Sequence, residues 1–81
     1  MAVQSRFIWE IAEEIREDWT TVSPYAEHYL NAMDGIRLIT DNYYADSAKT
    51  VVMYFLSNAG GWRGPVAQRI KRELKALCGL R

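Results

Sequence analysis

The densest grouping of chemistry-bearing residues is Gly60-Gly61-Trp62-Arg63-Gly64-Pro65, followed by Arg69. Glycines let a backbone approach a ligand closely, and a helix start offers unpaired N–H groups at the positive end of its dipole. In that setting Arg63 would grip a phosphate bidentately, Arg69 would add charge and Trp62 would stack on a base. The chemistry implied is a nucleotide or anion cradle. The residue order matches neither a Walker-type loop nor a dinucleotide fingerprint, and Pro65 removes one of the donors that a cradle uses. The structural alternative has Trp62 plug the end of a helical bundle while the glycines only turn the chain.

Tyr43 and Tyr44, in a turn region between Asp41 and Asp46, would supply rings and hydroxyls to complete such a pocket. Trp9, Leu38 and Tyr54 fall off the apolar stripes of their helices, and large residues so placed are enriched at interfaces, self-association being the first use to consider. Glu13 and Glu17 belong to an acidic face that would dock on a partner; the plainer alternative is a solvated helix back. No catalytic set emerges. His28 is the only histidine and has no cysteine or histidine partner for a zinc set. No nucleophile-elbow sequence supports a Ser-His-Asp arrangement. The expectation is a non-enzymatic protein without metal or cofactor, with the single cysteine, Cys78, serving packing.

Helices must position these residues. Phe7, Ile8, Ile11, Ala12, Ile15 and Trp19 form one stripe, with Glu10, Glu13, Glu14 and Glu17 opposite, which predicts an amphipathic helix over about residues 5–19. Ser23-Pro24 is a cap followed by proline at the first helical position. A second helix is predicted from Pro24 to about Thr40 on the stripe Tyr25, Tyr29, Met33 and Ile36, with a break near Asp34-Gly35 as the alternative. Asp41-Asn42 signals a turn, and Asp46 or Ser47 would cap a third helix with Ala48, Val51, Val52, Phe55, Leu56 and Ala59 inward, stopped by Asn58-Ala59-Gly60-Gly61. Gly64-Pro65 opens a fourth, with Val66, Ile70, Leu74 and Leu77 inward, Arg69, Lys71, Arg72 and Lys75 outward, and Gly79 as terminator. The predicted fold is all-α: one domain over residues 1–81, a compact bundle of about four short helices. A helix-turn-helix needs a turn of about three or four residues. Here Asn58 to Gly64 separates the last two helices, which disfavours sequence-specific DNA reading.

The 81 residues carry ten Lys and Arg against ten Asp and Glu, a net charge of zero that disfavours a basic DNA-coating protein and an acidic DNA mimic alike. Resolved by position, residues 1–46 hold nine acids and three bases, while residues 47–81 hold seven bases and only Glu73. The chain is therefore strongly dipolar. Either the acidic first helix and basic fourth helix neutralise each other, within a subunit or across a dimer, or the second half offers a cationic face to an anionic ligand. A lone cysteine precludes an internal disulfide, and neither a signal pattern nor a long apolar run is evident, so a cytoplasmic protein without a membrane partner is expected.

The strings Tyr29-Leu30-Asn31-Ala32-Met33, Asp41-Asn42-Tyr43-Tyr44-Ala45-Asp46-Ser47-Ala48 and Tyr54-Phe55-Leu56-Ser57-Asn58-Ala59-Gly60-Gly61-Trp62-Arg63-Gly64, with the helix at 69–74, resemble small uncharacterised accessory proteins of tailed phages and prophages. The resemblance spans about residues 24–78 and does not reach the first helix. It implies a non-enzymatic factor that counters host defence. The expected function is sequestration of an anionic nucleotide signal by a homo-oligomer, with Trp62, Arg63, Arg69, Tyr43 and Tyr44 as ligand residues. The alternative is an anti-CRISPR-like inhibitor that docks on a host nuclease or other defence protein through Trp9, Glu13, Glu17 and Tyr54.

Overall fold

The computed structural model describes residues 4–80; residues 1–3 and Arg81, one of the seven bases of the second half, lie outside the described residues. The elements in order are α1 (Ile8–Asp18), α2 (Pro24–Met33), β1 (Asn42–Tyr43), β2 (Asp46–Ser47), α3 (Ala48–Ser57) and α4 (Pro65–Leu77). The fold is mostly helical rather than all-α, because β1 and β2 form a small antiparallel hairpin that pairs Asn42 with Ser47 and Tyr43 with Asp46.

Local chemistry sets most boundaries. The Ser23 hydroxyl accepts the Ala26 N–H at 3.3 Å ahead of Pro24, and the Ser47 hydroxyl accepts the Thr50 N–H at 3.1 Å, satisfying donors that a helix start leaves open. At the end of α4, Gly79 takes φ +76, so Leu80 N–H reaches the Lys75 carbonyl and Gly79 N–H reaches that of Ala76. This is a Schellman closure, and it needs a residue at ease in the left-handed region.

Two boundaries differ from expectation. α1 begins at Ile8, with Phe7 as its cap residue and the Glu10 carboxylate accepting the Phe7 N–H at 2.8 Å. Its next two donors, Ile8 and Trp9 N–H, are taken by the carbonyls of Arg37 and Ile36. α2 stops at Met33, where Asp34-Gly35 turns the chain so that Ile36 and Arg37 pass the start of α1 and offer it their carbonyls. Phe7 consequently lies on the surface beneath the Arg37 guanidinium, 5.4 Å from its ring centroid, instead of joining the inward stripe.

The core comprises Ile8, Ile11, Ala12 and Ile15 from α1, Ala26, Leu30 and Met33 from α2, Val51, Val52 and Phe55 from α3, and Ala67, Ile70 and Leu74 from α4. On α2 the buried positions are 26, 30, 32 and 33; of the predicted stripe Met33 and Ile36 are buried, while Tyr29 is half-buried and Tyr25 is 77% exposed. Aliphatic Ala26 and Leu30 enter the core without a hydroxyl that needs a partner, whereas Tyr25 and Tyr29 keep theirs near water. Cys78 is buried at the end of α4, where burial pushes its thiol pKa up.

Candidate functional site

Trp62 is a core residue. It is 2% exposed, its ring stacks on Trp19 with centroids 5.8 Å apart and planes 7° from parallel, and its indole N–H donates to Asp18 Oδ2 at 2.8 Å. Lys71 Nζ donates to the Trp62 carbonyl at 2.6 Å and stands 5.9 Å from the ring centroid. A side chain so enclosed presents no face to a base, which corrects its expected stacking role. The glycine-rich segment turns the chain around this plug. Gly64, at φ +108, places Pro65 at the first position of α4.

Arg69 is likewise engaged. It pairs with Glu14 of α1, and Glu14 also binds Arg6 at 2.7 Å, while Arg6 reaches Glu73 of α4 through Nη2 at 2.8 Å and Nε at 3.0 Å. The Arg69 hydrogen bond holds the Glu14 carboxyl below the usual carboxylate range, with Arg6 adding to the effect. Part of the acidic α1 face and part of the basic α4 face therefore neutralise each other within one chain. Arg69 is not free to hold a phosphate beside Arg63.

The rest of the basic charge lies on the other flank of α4. Gln68, Lys71, Arg72, Lys75, Ala76 and Leu80 line an open groove of about 410 Å³. Spacings of three, four and seven residues put Gln68, Lys71, Arg72 and Lys75 on one helical stripe, and the Schellman turn brings Leu80 back beside Ala76. Among the described residues no carboxylate pairs with Lys71, Arg72 or Lys75. Burial, then the nearby charges of Lys75 and Arg63, hold the Lys71 ammonium below its ordinary pKa. The groove thus combines uncompensated cations with an apolar floor, a composition suited to an anion carrying an apolar body.

The comparisons add no relative. No protein-family model, curated protein or solved structure matches this chain.

The remaining expected site residues disperse over the surface. Tyr43 is half-buried beside Gly35, whereas Tyr44 is 90% exposed at the hairpin tip; their rings meet edge-on at 4.7 Å, and the hairpin packs on α3. Neither tyrosine lines the groove on α4. Trp9 is half-buried with its ring tilted against Phe7, while Glu13 and Glu17 are exposed on α1. A shallow depression of about 180 Å³ joins Glu17 to Glu14, Asp18 and Val66. Tyr54 is 52% exposed and packs against Tyr29 at 5.4 Å, which in turn meets His28.

The grooved stripe of α4 was visible in the sequence as a row of outward bases. What periodicity does not distinguish is Arg69, which meets a carboxylate, from Lys71, Arg72 and Lys75, which meet none.

Proposed function

We propose that this chain is a non-enzymatic, phage-type accessory protein that counters host defence in the host cytoplasm by binding an anionic nucleotide signal as a homo-oligomer. Lys71, Arg72 and Lys75 hold the phosphates in the α4 groove, Gln68 adds polar contacts, and Arg63 contributes charge from the loop before the helix. The observation that carries this reading is the groove: three cations with no carboxylate partner among the described residues, lined also by Ala76 and Leu80. Burial, then the charges of Lys75 and Arg63, depress Lys71; a phosphate entering the groove offsets the charge repulsion, and the interaction weakens with salt. Among the described residues no helix is long and apolar enough to cross a membrane.

Isothermal titration against cyclic di- and trinucleotides tests the reading. Binding that the double variant Lys71→Glu/Lys75→Glu abolishes while Arg69→Gln retains it supports the groove. No heat with any member of the panel overturns it.

A second reading rests on a different observation. Glu13 and Glu17 are exposed and make no ion pair among the described residues, leaving an acidic strip on α1 for a basic surface of a host nuclease or defence protein. Charge reversal at both positions that removes partner capture while leaving nucleotide titration silent and the fold intact favours this inhibitor.

A further inference from the structure

Tyr44 is, among the described residues, the one non-glycine position with positive φ, at +54. Bulky side chains seldom adopt that conformation, and strain of this kind persists where the surrounding structure enforces it, often for function. Here it lifts an aromatic ring to the tip of the β1–β2 hairpin, 90% exposed and braced edge-on by Tyr43. The stretch from Asp41 to Ser47 carries Asp41 and Asp46 and no base. Asp46 is exposed, while Asp41 accepts the Leu38 N–H. The tip is therefore an apolar projection with negative charge beside it.

The α4 groove is its complement. It has an apolar floor from Ala76 and Leu80, three cations at its walls, no aromatic lining residue, and about 410 Å³ of space, ample for a phenol ring. We propose that the hairpin tip of one copy of this chain docks in the α4 groove of a second copy. Tyr44 rests on Ala76 and Leu80 with its ring face toward the cations, and Asp46 faces Lys75 or Arg72. Reciprocal exchange of tips closes a twofold pair and uses each projection and each groove once. The docked tip occupies the Ala76 and Leu80 surface and a cation that the nucleotide reading assigns to a ligand, so the pairing stands independently of that reading.

Light scattering over a concentration series of the ligand-free chain tests the pairing, with Tyr44→Gly, Lys75→Glu and the charge exchange Asp46→Lys/Lys75→Glu alongside. Glycine accepts φ +54 without a Cβ clash, so Tyr44→Gly keeps or raises the melting temperature, and a loss of assembly in it cannot be ascribed to unfolding. The expected result is a wild-type dimer, a Tyr44→Gly monomer, dimerisation weakened about tenfold or more in Lys75→Glu, and recovery in the charge exchange. A wild-type chain that stays monomeric at every concentration overturns the proposal. So does a dimer that survives Tyr44→Gly, including one that Tyr54→Glu dissolves, which would put the contact on the α2–α3 aromatic face. Nucleotide titration on the same samples separates the two ideas: a dimer without nucleotide binding defeats only the functional reading, and nucleotide binding by a persistent monomer defeats only the pairing.

Discussion

The two flanks of α4 carry similar basic residues and do different things. On the flank facing α1, Arg69 and Glu73 join Arg6 and Glu14 in a chain of alternating charge, Arg69–Glu14–Arg6–Glu73. On the other, Lys71, Arg72 and Lys75 face a groove where no carboxylate meets them among the described residues. One helix therefore serves as both a seam and a surface. The difference teaches that a run of bases has no single meaning: each side chain takes its role from what the fold sets across from it. Charges on the seam are partly shielded and mutually satisfied, whereas those on the groove repel one another and are open to an anion from solution.

The contrast can be broken first at the point where the flanks meet. Trp62 receives Asp18 from the α1 side and holds Lys71 on its carbonyl. Trp62→Ala is expected to cost about 3–5 kcal/mol in chemical denaturation, as for other large aromatics removed from a core. A loss below about 1 kcal/mol would return Trp62 to the surface and reopen its role as a stacking platform.

Arg6→Met sharpens the seam. It strips Glu14 and Glu73 of a shared partner and is expected to lower stability by about 1–2 kcal/mol, between an exposed pair and a charged hydrogen bond in a partly buried site. A change indistinguishable from zero in urea melts would show that the network contributes nothing.

Acid should act on the seam before the groove. The Glu14 carboxyl lies below its ordinary 4.5 in the folded chain, chiefly through Arg69. Its contribution is therefore fully present above pH 4.5 and is lost as pH falls through the lower folded value. The expected size is about 0.5–1 kcal/mol, discounted for solvent screening. Urea midpoints from pH 7 to 3 should decline less steeply in Glu14→Gln than in wild type; parallel declines would remove Glu14 as a source of acid sensitivity.

The smallest effect is expected on the other flank. Neutralising Arg72 and Lys75 together to Gln, with Lys71 left on the Trp62 carbonyl, should change stability by about 0.5 kcal/mol or less, with a slight gain if repulsion dominates. A large loss in thermal melts would mean that these cations are structural and that the two flanks are alike.

Much of the framework was legible. The α1 positions Ile8, Ile11 and Ile15, the α3 positions Val51, Val52 and Phe55, and the α4 positions Ile70 and Leu74 are buried as their spacing predicts. Ser23-Pro24, Gly64-Pro65 and Gly79 punctuate helices because their conformational preferences act locally. Less legible was whatever depends on a distant partner. On the predicted α2 stripe Met33 and Ile36 are buried whereas Tyr25 is exposed, so periodicity alone did not set which end of that face enters the core. The turn after Met33 brings the Ile36 and Arg37 carbonyls to the open N–H groups of Trp9 and Ile8, far away in sequence. The hairpin depends on a tyrosine at positive φ, for which Tyr44 carries no sequence signal. Of the expected ligand residues, Arg63 and Tyr44 remain accessible, Tyr43 is half-buried, Arg69 is paired and Trp62 is enclosed.

By itself, the sequence determined that the chain forms amphipathic helices with punctuated ends and divides its charge into an acidic first half and a basic second half, since periodicity, capping and charge count are local properties. Only the tertiary structure decided which bases are neutralised and which stay open, and that Trp62 seals the core rather than facing a ligand. Those outcomes depend on contacts through space, where moving a carboxylate by a few ångströms decides whether a cation is half of a pair or one wall of a binding groove.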